Sequence, residues 1–233
     1  MNVAIVVGAG KGTRLGGDRP KQFLELGGAP IIVHALRQFE RCREISEVIV
    51  VLPAEDTAGF QSVIQEHGLR KVSQVIPGGA TRAQSVRRGL NAISSADIVA
   101  VHDGVRPFVT PDEIDRVVGA AKQCGAAILT TQVADTIKRI TDSRIVETLP
   151  RAHLRRALTP QCFRFEILKE AYQSLDDLEA QGIEITDDSL LVERLNVAIQ
   201  AVEGSTKNIK ITTAEDLAWA EQLVSGRSGV GGP

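Results

Sequence analysis

Val3-Ala4-Ile5-Val6-Val7-Gly8-Ala9-Gly10-Lys11-Gly12-Thr13-Arg14-Leu15-Gly16 holds the fold and the chemistry of this chain side by side. Its first five residues are apolar and mostly β-branched, which reads as a strand buried on both faces, as in a parallel sheet covered by helices. The glycines follow directly, so they stand at the strand's carboxyl end, where open α/β sheets bind ligands. Glycine lets backbone N–H groups approach phosphate oxygens, and Lys11, Arg14 and Lys21 add positive charge within one short segment. The plainer alternative is a simple strand-to-helix turn.

Outward from that loop the same alternation repeats. Apolar runs at 48–52, 71–76, 98–101 and 127–131 predict further strands, and helical spacing at 31–41, 55–67, 82–93 and 111–124 predicts the helices between them, with Thr110 as cap before Pro111. After about residue 131 the rhythm breaks. The segments 135–140 and 145–149 alternate polar and apolar residues around Thr141-Asp142-Ser143, the pattern of a hairpin that projects from the sheet. Beyond it, helices are expected at 164–175, 187–196 and 213–224, and strands at 198–202 and 209–212. The predicted architecture is α/β: one Rossmann-like three-layer domain over residues 1–225, with a mostly parallel twisted sheet and an arm at about 132–153. The Gly- and Ser-rich residues 226–233 read as a disordered tail.

Composition sets the outer bounds. The chain has 233 residues, 43% hydrophobic and 24% charged, an ordinary globular balance with room for one full core. Its 27 Lys and Arg against 29 Asp and Glu give no overall electrostatic reason to bind nucleic acid or anionic lipid, so a polyanion must be held locally. Cys42, Cys124 and Cys162 are widely spaced and form no C-x-x-C pair, which predicts reduced thiols. No apolar run approaches membrane-helix length and no leader pattern precedes the first strand, so a cytoplasmic, monofunctional enzyme is expected.

Spacing separates three nucleotide motifs at the glycine loop. A P-loop needs Lys followed by Ser or Thr, but Gly12 follows Lys11. A Rossmann fingerprint needs a third glycine where Thr13 stands and an acidic residue about 20 positions on, so an NAD-binding oxidoreductase is a distant alternative. What remains is Gly10-Lys11-Gly12-Thr13-Arg14-Leu15 with Pro20-Lys21, which resembles the signature of the sugar-nucleotidyltransferase superfamily. Nucleotidyl transfer develops charge on the α-phosphate and on pyrophosphate, so fixed cations and amides must converge there. Arg14 and Lys21 are the candidates.

Further segments resemble the 2-C-methyl-D-erythritol 4-phosphate cytidylyltransferase family in order and approximate spacing over nearly the whole chain. They are Pro20-Lys21-Gln22-Phe23-Leu24, Gly78-Gly79-Ala80-Thr81-Arg82-Ala83-Gln84-Ser85-Val86, His102-Asp103-Gly104-Val105-Arg106-Pro107, Ala157-Leu158-Thr159-Pro160-Gln161, Thr186-Asp187-Asp188-Ser189 and Asn208-Ile209-Lys210-Ile211-Thr212. The resemblance implies that CTP lies against Gly8, Ala9, Gly10, Gly12, Gly78, Gly79, Ser85, Asp103 and Gly104, the cytosine on Gly78, Gly79 and Ser85. It implies that Lys210 faces the triphosphate and completes a catalytic set with Arg14 and Lys21. It also implies that Asp103, Arg106, Thr136, Arg151, Thr159 and Thr186 receive a polyol phosphate. Thr136 and Arg151 would act across a two-fold interface, with the arm exchanged between the copies of a homodimer. Asp103 could hold magnesium, touch the ribose or orient the phosphate substrate; Thr186 could equally cap a helix. Ala80 and Lys207 depart from relatives that carry an acidic residue at the first position and a carboxylate at the second.

The activity implied is transfer of CMP from CTP to 2-C-methyl-D-erythritol 4-phosphate, with Mg2+ or another divalent cation, a step of non-mevalonate isoprenoid precursor synthesis. Ribitol 5-phosphate or a similar polyol phosphate is the alternative acceptor. His34, His67, His102 and His153 share no metal spacing, and no G-x-S-x-G elbow supports a hydrolase.

Overall fold

All five early apolar runs become strands of one sheet; four are buried on both faces, and the run at 71–76 lies at the sheet's edge with Ser73 and Gln74 exposed. The computed structural model describes residues 1–10 and 20–226. In chain order the elements are β1 (Asn2–Val7), β2 (Glu25–Leu26), β3 (Ala29–Pro30), α1 (Ile31–Arg41), β4 (Glu47–Leu52), α2 (Phe60–Glu66), β5 (Val72–Pro77), α3 (Arg82–Asn91), β6 (Ile98–Asp103), α4 (Pro111–Cys124) and β7 (Ala126–Gln132). They continue as β8 (Ile137–Thr141), β9 (Arg144–Leu149), β10 (Arg155–Arg164), α5 (Phe165–Ala171), α6 (Leu175–Ala180), α7 (Ser189–Glu193), β11 (Gln200–Glu203) and α8 (Ala214–Val224). The seven-stranded sheet runs β11-β7-β10-β6-β1-β4-β5, and β10 alone lies antiparallel to its neighbours. The α/β, mostly parallel architecture is therefore the one expected.

Strand residues alternate between two cores. Ala4, Val6, Val48, Val50 and Ile98 pack on α1 and α4 through Leu36, Phe39, Ile114 and Val118. Val3, Ile5, Val7, Ile49, Val51 and Val99 face the opposite layer, against Val86 and Leu90 of α3 and Leu168, Leu178 and Leu191 of α5 to α7. Truncating a fully buried residue such as Leu36 to alanine costs about 2–5 kcal/mol. Helix starts follow the sequence signals: Thr110 with Glu113, and Thr213 with Asp216, each form a reciprocal capping box.

Five points of the expected element order need correction. β10 was not expected, because Pro160 interrupts its apolar pattern and proline cannot donate to a ladder. The structure accommodates Pro160 at a register shift against β7 between Ala157 and Gln161. Residues 209–212 are not a strand; Ile211 N donates to the Val105 carbonyl at 2.9 Å, while Ile209 N and Thr212 N are taken by Lys207 O (2.8 Å) and Asp216 Oδ2 (2.8 Å). The helix expected at 55–67 splits into a 3-10 turn at Ala54–Asp56 and the shorter α2, while 164–175 ends in a 3-10 turn at Tyr172–Ser174 that feeds α6. Finally, 187–196 contracts to α7.

β8 and β9 form the expected hairpin, with Thr141 opposite Arg144. The two residues between them, Asp142 and Ser143, both take positive φ (47° and 63°), the backbone of a two-residue type I′ turn. No described helix is long and apolar enough to cross a membrane. Cys42, Cys124 and Cys162 are free thiols.

Candidate active site

Three loops leave the carboxyl edge of the sheet at one level, each led by a glycine that extends the ladder by one bond. Gly8 N donates to Val51 O (2.8 Å), Gly78 N to Leu52 O (2.7 Å) and Gly104 N to Val7 O (2.8 Å). Two of these loops touch: a Cβ on Gly78 would stand 2.3 Å from that of Ala9, so only glycine lets them meet. The cavity they enclose is lined by Gly8, Ala9 and Gly10, by Lys21 and Gln22, and by Gly79, Arg82, Ser85, Asp103 and Lys210. A second cavity adjoins it, lined by Arg106, Thr159, Gln161, Thr186 and Asp187 together with the same Arg82, Asp103 and Lys210. Those three side chains form the shared wall.

Asp103 is the centre of that wall. Its Oδ1 accepts from Arg82 Nε at 2.9 Å, and its Oδ2 meets Lys210 Nζ at 3.1 Å and Arg106 Nε at 3.3 Å. Burial opposes its charge, but Arg82, Lys210 and Arg106 outweigh burial and hold the carboxyl far below the usual carboxylate range. Behind Arg82, its Nη2 donates to Asp188 Oδ2 at 2.8 Å, and Tyr172 donates its hydroxyl to Asp188 Oδ1 at 2.5 Å. Gln161 Oε1 accepts from the backbone N–H of Asp188 (2.9 Å) and of Ser189 (3.0 Å). Neither Arg82 nor Asp188 was singled out from sequence. The available signal was a basic residue opening a helix beside the glycine pair, and an acidic pair before a short helix.

His102 has no spare capacity as a base. Its Nε2 donates to Arg106 O (3.2 Å), its Nδ1 accepts from the Thr159 hydroxyl (2.9 Å), and burial lowers its pKa to about 4. The Thr159 oxygen in turn accepts from Asp103 N at 3.2 Å, so this threonine lines the second cavity with its hydroxyl already committed to the fold. Arg106 Nη1 donates to Asn208 O at 2.9 Å, and Asn208 Nδ2 to Thr159 O at 2.9 Å, which anchors the segment carrying Lys210 beside the end of β6.

The other candidates divide cleanly. Gly8, Ala9, Gly10, Lys21, Gly79, Ser85, Asp103 and Lys210 come together in the first cavity, and Arg106, Thr159 and Thr186 in the second. Gly78 and Gly104 serve the loops' close packing rather than the cavity walls. The amides of the glycine pair are also committed: Gly79 N donates to Ser85 Oγ (3.0 Å), while Arg88 Nη1 takes the Gly78 carbonyl (2.7 Å). That leaves the Gly79 carbonyl, which accepts no hydrogen bond among the described residues. Thr186 is not the cap of α7; Asp187 Oδ1 accepts from Leu190 N at 3.1 Å instead. Thr136 and Arg151 are exposed at the hairpin's root and line neither cavity. Gly12 and Arg14, and the tail from 227 on, lie outside the described residues.

A metal held by the protein alone does not fit this donor set. Among the described residues no three His, Cys, Asp or Glu side chains cluster, and both Asp103 oxygens already face cations.

The sequence matches the model of the 2-C-methyl-D-erythritol 4-phosphate cytidylyltransferase family over residues 2–226. The chain belongs to this family. A Bacillus velezensis protein named as 2-C-methyl-D-erythritol 4-phosphate cytidylyltransferase is 40% identical over 97% of each chain. Solved structures agree: 4-diphosphocytidyl-2C-methyl-D-erythritol synthase from Anaerococcus prevotii superposes with a TM-score of 0.81 at 29% identity, covering 96% of both chains. The Thermus thermophilus cytidylyltransferase does so with 0.75 at 34% identity, over 95% of this chain and 98% of its own. As a cytidylyltransferase of this family, the chain carries its matched sequence through both cavities and the junction between them.

Proposed function

We propose that this enzyme transfers CMP from CTP to 2-C-methyl-D-erythritol 4-phosphate, releasing pyrophosphate. The observation that carries the reading is the pair of adjoining cavities with one charged wall, Arg82, Asp103 and Lys210, between them. CTP occupies the first cavity, its cytosine against the Gly79 carbonyl and Ser85, and its phosphates against the loop after β1. The carbonyl accepts a hydrogen bond from the 4-amino group of cytosine; uracil would set an oxygen against it. The polyol phosphate fills the second cavity near Arg106 and Thr186. Its phosphate oxygen attacks the α-phosphorus, the new P–O bond forms, and the bond to the β-phosphate breaks with its electron pair leaving on pyrophosphate.

No general base is required, because the nucleophile is already an anion at neutral pH. Catalysis is positioning plus charge stabilisation, with Lys21 and Lys210 as the described cations for that task and Arg14 as the third. A divalent cation that accompanied CTP would find its ligands on the nucleotide, since no three His, Cys, Asp or Glu side chains gather among the described residues; it would supply further charge stabilisation there. Asp103 orients Lys210 and Arg106 instead of binding metal. The arm with Thr136 and Arg151 completes the second cavity of a partner copy, which supports a homodimer. Free thiols suit the reducing cytoplasm.

Pyrophosphate release measured for CTP, UTP and ATP against methylerythritol phosphate and ribitol phosphate tests this reading. CTP with methylerythritol phosphate should give the highest kcat/KM. A higher value with ribitol phosphate would reassign the acceptor, and none with CTP would end the proposal.

A further inference from the structure

The three cations on Asp103 are not equally free to leave it. Lys210 extends from an irregular segment, its side chain is 37% exposed, and its ion pair among the described contacts is the one to Asp103. Arg106 bonds one carboxylate oxygen and a backbone carbonyl. Arg82 differs from both. Its guanidinium is stretched between two carboxylates, Nε on Asp103 and Nη2 on Asp188, from a side chain 20% exposed. Asp188 is fully buried and cannot drift, because Tyr172 holds its Oδ1 while Gln161 holds its backbone and, at 2.8 Å, Asp187 Oδ2. Tyr172 itself is seated in the core under α5 to α7.

Arg82 Nη1 is buried and has no hydrogen-bond partner among the described residues. An orphan donor carries a desolvation cost, so the guanidinium's orientation is set by the two carboxylates and not by satisfying every nitrogen. Charge then decides its use. Among the described residues the ion pairs of the junction join three positive side chains, Arg82, Arg106 and Lys210, to two negative ones, Asp103 and Asp188. When a triphosphate and a phosphate monoester arrive, the exposed Lys210 has anions of higher charge to face, and each contact it transfers leaves Asp103 beside new negative charge. A carboxylate so placed either takes up a proton or swings away, unless one cation stays behind.

We propose that Arg82 is a positioning residue, braced from behind by the buried Asp188–Tyr172 pair, that keeps Asp103 fixed while Lys210 and Arg106 turn to the substrates' phosphates. This rests on the reading of the junction as the meeting point of CTP and polyol phosphate. Arg82 touches no reacting atom; it acts through Asp103, and Asp103 through the aim of Lys210. Burial weakens the charge on Arg82 but the two carboxylates outweigh it, and the tie is consequently maintained across the working pH range.

The test compares Arg82→Met, Arg82→Lys and Tyr172→Phe with the parent enzyme and with Lys210→Ala, recording thermal melting, kcat, both KM values and the pH profile of kcat/KM. Arg82→Met should lower kcat about 10²-fold, the scale of losing one preorganised electrostatic contact, with the KM for CTP held within about threefold. Its acid limb should move to higher pH, since Asp103 loses its nearest opposite charge and keeps Arg106 and Lys210, with neutral His102 beside it, Asp188 behind and Arg156 farther along β10. Arg82→Lys should recover at least about tenfold, because one charge survives without the fork. Tyr172→Phe should lower kcat several-fold and shift the limb in the same direction, its ring still filling the core. A folded Arg82→Met with parental kcat and pH profile would overturn the proposal. Should that variant fail to fold, parental kcat and limb in Tyr172→Phe overturn it equally. Failure of the underlying reading is separate: the parent would show no CMP transfer, or Lys210→Ala would keep parental turnover.

Discussion

The junction at Asp103 and the hairpin of β8 and β9 are both proposed to serve the same acceptor, yet they are built on opposite terms. At the junction one chain supplies every partner described, and the two carboxylates are buried and bonded to the basic groups around them. On the hairpin, Ile140, Ile145 and Val146 are more than half exposed, and Arg139 pairs with Glu147 in the open at 3.0 Å. An isolated two-stranded hairpin is marginal in water, so exposed apolar residues along one ask for a covering surface. One region is finished within the chain, whereas the other leaves apolar side chains open, to be covered in the proposed homodimer.

The contrast can be broken most sharply at its charged end. Lys21→Ala and Lys210→Ala should each lower kcat by about 10²-fold or more with melting unchanged, because each removes charge stabilisation from a chain that stays folded. Near-parental turnover in either variant removes that lysine from the chemistry. Acid should next find the buried side before the exposed one. His102 is held neutral in the fold with a pKa of about 4, below the ordinary 6.5 of the unfolded chain, so the unfolded state takes up the proton first. Stability contributed by neutral His102 is complete above about pH 6.5 and declines as pH falls towards 4, by up to about 3 kcal/mol. Melting followed from pH 7.5 to 4 should show that slope, and a flat profile would argue against a neutral buried imidazole.

At the arm the expected effects are smaller. Arg151→Ala should raise the KM for the polyol phosphate about tenfold, the worth of one charge-assisted hydrogen bond, and leave the KM for CTP unchanged. Mixing and reassociating Arg151→Ala with Lys210→Ala protein should restore activity in mixed dimers; no recovery would mean that the arm serves its own chain's site. The smallest effect belongs to Arg139→Ala, which removes an exposed ion pair and should change stability by less than about 0.5 kcal/mol.

How far the sequence could be read follows the same divide. β1, β4, β5, β6 and β7 were legible because an apolar run is a local pattern, and the hairpin because Asp142 and Ser143 mark a turn between alternating segments. β10 was illegible because Pro160 and its polar first half hide a strand that only tertiary pairing completes. In the site, Lys21, Asp103 and Lys210 stood out through motifs beside strand ends. Arg82, Asp188 and Tyr172 did not, since their relation exists only when α3, α7 and the turn after α5 converge. The backbone of Gly78 and Gly79 was expected to face a base; the commitment of the Gly79 amide to Ser85 is a side-chain bond that no spacing announces.

β10 has a mechanical consequence as well. It begins at the hairpin's root, where Arg155 pairs with Gln132, and ends in the interior of the sheet between β6 and β7. A strand clasped on both flanks resists tension by shearing two ladders at once, where a strand at the margin would peel bond by bond. Force borne by the hairpin is thus delivered past Thr159 to the stretch from Gln161 on, where both ladders hold the strand at once.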